Sequence, residues 1–113
     1  MSRINKPWGY ELIWAQTAHY VAKILSIRAG HQLSRQYHRQ KDESFFVQKG
    51  EMCLEIGQGD ELKRVEMKPG DSFHCPPCTI HRMRALTDVE VFEVSTPELD
   101  DVVRVEDDYG RVG

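Results

Sequence analysis

GHQLSRQYHRQKDESFFVQKG, residues 30–50, sets polar donors at fixed intervals: Gly30, Gln36, His38, Glu43 and Gly50. Residues two apart on a strand share a face, so Gln36 and His38 project together. A turn through Arg39-Gln40-Lys41-Asp42 brings Glu43 in at the head of the next strand. A second interval set follows at Gly70, Pro76, Cys78 and His81, and His81 supplies a fourth donor. Convergence of these groups is what a metal site built on a β-sheet needs.

Gln36, His38, Glu43 and His81 give two imidazoles, one carboxylate and one neutral oxygen. Such ligands suit a single divalent ion, zinc first, with manganese, iron, cobalt or nickel as alternatives, and leave positions open for water or substrate. A lone histidine usually ends as a core or surface residue; four donors framed by Gly30, Gly50, Gly70 and Pro76 outweigh that default. His19, His31 and His74 lack such company and are expected at the surface. Cys75-Pro76-Pro77-Cys78 is a C-x-x-C without a second pair to complete a thiolate site, so Cys75 is expected as a small core residue.

The two interval sets resemble the motifs of the cupin superfamily. Gln36 stands where most cupins carry histidine, Cys78 where glycine is usual and Ala85 where asparagine is usual. Further residues carry a closer likeness over nearly the whole chain: Pro7-Trp8-Gly9 with Tyr10-Glu11, Lys23, Ser34, Thr79-Ile80-His81-Arg82, Asp100-Asp101-Val102-Val103-Arg104 and Asp107-Asp108-Tyr109-Gly110-Arg111. With these the chain resembles the type II mannose-6-phosphate isomerase domain, the cupin of bifunctional mannose-1-phosphate guanylyltransferase/isomerases. The resemblance implies a jelly-roll barrel, a divalent metal on Gln36, His38, Glu43 and His81, and interconversion of mannose 6-phosphate and fructose 6-phosphate. Guanylyl transfer is not implied. That family commonly has more histidine and arginine after its metal histidine and a histidine after the glutamate, where this chain has Arg39-Gln40-Lys41-Asp42 and Ser44.

A chain of 113 residues forms one domain that buries roughly two-thirds of its unfolded surface. The net charge of −3 is spread among both signs, which argues for a small-molecule partner and against nucleic acid. There is no apolar run long enough for a membrane span, and Met1-Ser2-Arg3-Ile4-Asn5 lacks a signal-peptide core, so a cytoplasmic location is expected. Three cysteines, an odd number, are expected as reduced thiols.

Short β-rich runs between Gly, Pro and Asp signals make the chain all-β, with little helix: a barrel core over 20–95, an N-terminal arm and edge strand over 1–19, and a C-terminal arm over 96–113. Tyr10 to Trp14 is a candidate edge strand or swapped arm. Edges near Tyr10 and Val103 need covering, which favours a homodimer. In Tyr20 to Ile27 two registers are open: Lys23, Leu25 and Ile27 inward, or Ala22 and Ile24 inward with Lys23 solvated. Phe45, Val47, Met52, Leu54 and Ile56 face the interior beyond the metal, as core. Val89 to Val94 is a last core strand with Phe92 and Val94 packed. Val102, Val103, Val105 and Tyr109 give the C-terminal arm apolar surface to bury.

An aldose-ketose isomerase working through an enediolate is the leading reading. Lys23 and Glu93 are the candidate proton carriers. Arg39, Lys41, Arg104 and Arg111 are the candidate phosphate ligands, because Arg35 and Arg82 point away if Gln36 and His81 point inward. Two rivals use the same residues: a non-haem iron dioxygenase, and a sugar- or small-molecule-binding cupin without catalysis.

Overall fold

The computed structural model describes residues 2–112. Eleven strands follow in order: β1 Ser2–Lys6, β2 Gly9–Gln16, β3 Val21–Ile27, β4 Arg35–Tyr37, β5 Glu43–Lys49, β6 Met52–Ile56, β7 Lys63–Met67, β8 Ser72–Cys75, β9 His81–Ala85, β10 Val89–Ser95 and β11 Val103–Glu106. A single 3-10 turn, Gly59–Glu61, sits in the β6–β7 connection. All pairing is antiparallel, in a six-stranded sheet β1-β2-β3-β10-β5-β8 and a five-stranded sheet β11-β4-β9-β6-β7. The all-β jelly-roll expectation holds.

The sheets close over one apolar core. Leu25, Ile27, Phe45, Val47, Val89 and Val91 come from the six-stranded sheet, and Met52, Leu54, Met67, Met83 and Ala85 from the other. The middle rows are the driest: Leu25 pairs with Val91, and Val91 with Val47. Lys23, Leu25 and Ile27 share the inward face of β3, which selects the register that buries the lysine; Ile24 is half-buried on the outer face.

On β10 the alternation runs opposite to the expected one. Val89, Val91, Glu93 and Ser95 face inward, so Phe92 and Val94 lie outside. Side chains alternate strictly along a strand, and packing Val89 and Val91 in the core turns Glu93 inward as well. Phe92 instead stacks on Phe46, ring centroids 6.3 Å apart, on the outer face of the six-stranded sheet.

The N-terminal segment also differs. Ser2–Lys6, within the expected N-terminal arm, is itself a strand and pairs with β2, and β2 pairs with β3 of its own chain. The strand holding Tyr10 is therefore an inner strand, with β1 at the edge. The C-terminal arm forms β11 against β4, and Tyr109 packs on the core.

Arg35 and Arg82 point away from the interior yet are buried, because Glu55 of β6, Glu106 of β11 and Asp108 of the tail close around them on the outer face of the five-stranded sheet. Arg35 reaches Glu55 at 2.8 Å, Glu106 at 3.0 Å and the Gly57 carbonyl at 3.1 Å. Arg82 donates to the Leu33 carbonyl at 2.9 Å and pairs with Glu106 and Asp108. A strand face turned from the barrel is not solvent where side chains of neighbouring strands and the tail pack across it.

Gly50 shows why the first interval set ends on glycine. Its φ is +80°, and a Cβ there would stand 2.1 Å from the Asp88 carbonyl oxygen.

Candidate metal centre

Three short elements deliver the ligand set. Gln36 lies on β4 and pairs with His81 at the head of β9. His38 follows β4 directly, and Glu43 opens β5 after the four-residue turn. His38, Glu43 and His81 are all buried, and their donor atoms lie within 4.8 Å of one another. Each histidine points Nε2 at Oε1 of Glu43, 3.4 Å away in both cases. Gln36 lines the same pocket.

The far side of each ring fixes its role. Nδ1 of His38 donates to the Asp101 carbonyl at 2.5 Å, and Nδ1 of His81 to the Thr79 carbonyl at 2.9 Å. A neutral ring that gives its proton at Nδ1 presents a lone pair at Nε2. Two such lone pairs and a carboxylate oxygen facing one another are the donors a divalent ion takes, so the set fits one.

Charge is otherwise balanced locally. The Lys41 ammonium lies 3.0 Å from Oε2 of Glu43, without hydrogen-bond alignment, and 3.5 Å from Glu93. Burial alone raises the Glu43 pKa, but hydrogen bonds from His38 and His81 and the Lys41 charge outweigh it and hold the carboxyl below its ordinary range. For His81, burial is outweighed by contacts with Cys75 and Glu43, and its pKa rises to about 9. Glu93 is pushed up by burial and by Glu43, against the pull of Lys41. The Lys41 pKa is raised: burial lowers it, but Glu93 and Glu43 together do more.

The pocket has a volume of about 110 Å³. That is below the ~150 Å³ that houses a benzene ring, so it takes the reacting end of a small polar molecule, with the remainder outside. Lys23 and Glu93 are cross-strand neighbours in its wall, and Lys23 pairs with Glu11 at 3.5 Å. Of the expected phosphate ligands, Lys41, Arg104 and Arg111 line the pocket. Arg39 does not; it lies exposed on the turn, away from the pocket wall. Lys41 is buried between Glu43 and Glu93, and the Arg111 guanidinium is held by Asp107 at 2.8 Å.

Several site residues escaped the sequence reading. Trp8, in the turn between β1 and β2, is buried and lines the pocket with Leu33, Met83, Leu99 and Val102. Glu11 carried a signal: with Leu25 inward, its cross-strand partner Glu11 must be inward too. Phe45, Val47, Met52 and Leu54 lie in the closed core and not in the pocket wall. Asp101 is the largest omission. Its carboxylate accepts the backbone N–H groups of Gln40 at 2.6 Å, Lys41 at 2.9 Å and Arg39 at 3.0 Å, which lower its pKa to about 2.

His31 is half-buried against the Tyr109 hydroxyl at 2.8 Å, and His74 is exposed beside Asp42 at 2.6 Å. Cys75 is buried, with Sγ 3.4 Å from Nδ1 of His81. Cys78 is exposed and adopts φ +66°, and its N–H donates to the His38 carbonyl at 2.6 Å. All three cysteines are free thiols. Among the described residues no helix is long and apolar enough to cross a membrane.

Fold and site together define a small β-barrel protein with a buried His-Glu-His cluster that could hold a metal ion. The family described as "Cupin domain" matches residues 23–95, and the chain belongs to it. The xanthan biosynthesis protein XanB of Xanthomonas campestris pv. campestris (strain B100) is 30% identical over 96% of this chain, which spans 24% of XanB. The structure is similar to KdgF from Halomonas sp., with a TM-score of 0.78 and 24% identity, covering 88% of this chain and 91% of that one. It is also similar to the capsular polysaccharide assembling protein CapF of Staphylococcus aureus, with a TM-score of 0.77 and 16% identity over 93% of this chain and 34% of CapF. At these identities the structural neighbours establish the fold alone.

Proposed function

We propose that this chain is a metal-dependent aldose-ketose isomerase of a sugar phosphate, of the mannose 6-phosphate to fructose 6-phosphate type. The observation that carries the reading is one pocket holding both the His38–Glu43–His81 donor set and the buried Glu93, whose carboxyl has a raised pKa. The closer resemblance to type II mannose-6-phosphate isomerases and a relative named for xanthan biosynthesis support a sugar substrate.

A divalent ion on these ligands supplies polarisation of the substrate carbonyl and of the neighbouring hydroxyl, which acidifies the carbon-bound proton between them. Gln36, His38, Glu43 and His81 would hold that ion. Glu93 in its carboxylate form takes the proton from the carbon beside the carbonyl and returns it to the former carbonyl carbon. The hydroxyl proton moves to the former carbonyl oxygen, and Lys23, ion-paired to Glu11, is placed to carry it. Lys41 fixes the two carboxylates relative to each other.

The test is turnover of mannose 6-phosphate by protein reconstituted with zinc, manganese, iron, cobalt or nickel in turn. Isomerisation supports the reading. Dioxygen consumption dependent on ferrous iron would replace it with a dioxygenase, and ligand-induced stabilisation without turnover would replace it with a binding cupin.

The homodimer expectation belongs with this proposal. Support comes from the outer face of the six-stranded sheet, where Phe46 is 40% and Val94 52% exposed beside Phe92. Sedimentation showing a monomer at micromolar concentration counts against it.

A further inference from the structure

Five cationic side chains line the pocket: Lys6, Lys23, Lys41, Arg104 and Arg111. Three are engaged by carboxylates of the chain. Lys23 pairs with Glu11 at 3.5 Å, Lys41 with Glu43 at 3.0 Å and Glu93 at 3.5 Å, and Arg111 with Asp107 at 2.8 Å. Lys6 and Arg104 have no carboxylate within ion-pair distance among the described residues. Both are half-buried, so their charges are less screened than those of fully exposed residues.

The fold explains why these two face the same space. Arg104 pairs with Gln36, and Gln36 with His81, in one cross-strand row. Directly opposed residues point to one side of a sheet, so Arg104 projects from the same face as the two metal ligands. Lys6 ends β1 and precedes the tight turn to β2, two residues before Trp8, which is buried in the same wall. The N-terminal hairpin and the C-terminal arm thus each contribute one uncompensated cation to a pocket whose three glutamates, Glu11, Glu43 and Glu93, are already paired.

We propose that Lys6 and Arg104 form an anion subsite at the mouth of the pocket, which holds the phosphoryl group of a phosphomonoester. The choice of a phosphomonoester rests on the sugar-phosphate reading; the anion subsite follows from the unpaired charges. A pocket of about 110 Å³ is consistent with it, because the reacting end enters and the phosphoryl end stays at the rim. Arg39, exposed and outside the pocket, takes no part.

The test is calorimetric binding of inorganic phosphate and of mannose 6-phosphate to the wild type, Lys6→Met, Arg104→Met, Arg104→Lys and Arg39→Met, each checked for an unchanged melting temperature. Losing one charge-assisted contact raises the dissociation constant about tenfold in Lys6→Met and in Arg104→Met for both ligands. Arg104→Lys keeps most of the affinity and Arg39→Met keeps all of it. Phosphate affinity unchanged in both methionine variants overturns the subsite, as does no phosphate binding by the wild type at millimolar concentration. Binding is read without turnover, so failure of the isomerase assay leaves this result intact. Phosphate held as expected while mannose 6-phosphate fails to bind retains the subsite and discards that sugar.

Discussion

The main-chain oxygen of Asp101 stands 2.5 Å from Nδ1 of His38, while the carboxylate of Asp101 holds three N–H groups of the turn that follows that histidine. One residue of the C-terminal arm thereby orients a metal ligand and pins the turn that carries Lys41. Asp101→Ala frees the turn and loosens the carbonyl's position, which lowers metal affinity by about tenfold or more. Competition against a chelator measures it. Unchanged affinity in the variant removes Asp101 from the site.

Glu93→Gln keeps the shape of the pocket wall and removes the base. If Glu93 moves the carbon-bound proton, kcat for a confirmed substrate falls by about 10²–10⁴ with metal content unchanged. A variant that retains turnover shifts the role to Lys23, and Lys23→Ala then carries the loss.

Cys78 has φ +66° where the motif usually has glycine, and a left-handed conformation costs an L-residue about 1–2 kcal/mol. Cys78→Gly relieves that cost and gives back part of it through the freer unfolded chain, so stability changes by less than about 1 kcal/mol. Cys78→Val, branched at Cβ, destabilises by more than the glycine variant changes it. Urea denaturation distinguishes the two.

Buried Arg35 is clamped between Glu55 and Glu106. Burial raises the Glu55 pKa, but Arg35 and Arg64 outweigh it, so the folded value lies below the ordinary 4.5. A carboxyl whose pKa is lowered by folding stabilises the fold above its ordinary value, and that contribution fades as pH falls through the folded one. The Glu55 contribution to the unfolding midpoint holds above about pH 5 and is lost below it, so the acid-side fall is less steep in Glu55→Gln. Arg35→Met strands Glu55 without its main partner and costs about 3 kcal/mol at neutral pH. A loss below about 1 kcal/mol would mean that solvent already compensates Glu55.

Much of this was legible in the sequence. Alternation and turn residues gave the strands, and the interval sets brought Gln36, His38, Glu43 and His81 to one pocket, because strand spacing and a tight turn leave few other arrangements. Parity on an isolated strand is less decisive. On β10 both faces offer apolar residues, and only the neighbouring Leu25 and Val47 show that Val91 and Glu93 face inward. Coverage by distant elements was not readable at all. Nothing local to Arg35 or Arg82 announces that β11 and the tail will bring Glu106 and Asp108 to them, or that Asp101, 63 residues from His38, will orient its ring. That Trp8 and Lys6 line the pocket was unreadable for the same reason, since the hairpin that places them pairs with β3 from outside the core motif.

The most direct test is metal content per chain after reconstitution, in the wild type and in His38→Ala, Glu43→Gln and His81→Ala. Two imidazole lone pairs directed at one carboxylate oxygen predict one divalent ion per wild-type chain and loss of most of it in each variant. A wild type that takes up no metal, or three variants that bind it as the wild type does, would contradict the assignment of His38, Glu43 and His81 as a metal centre.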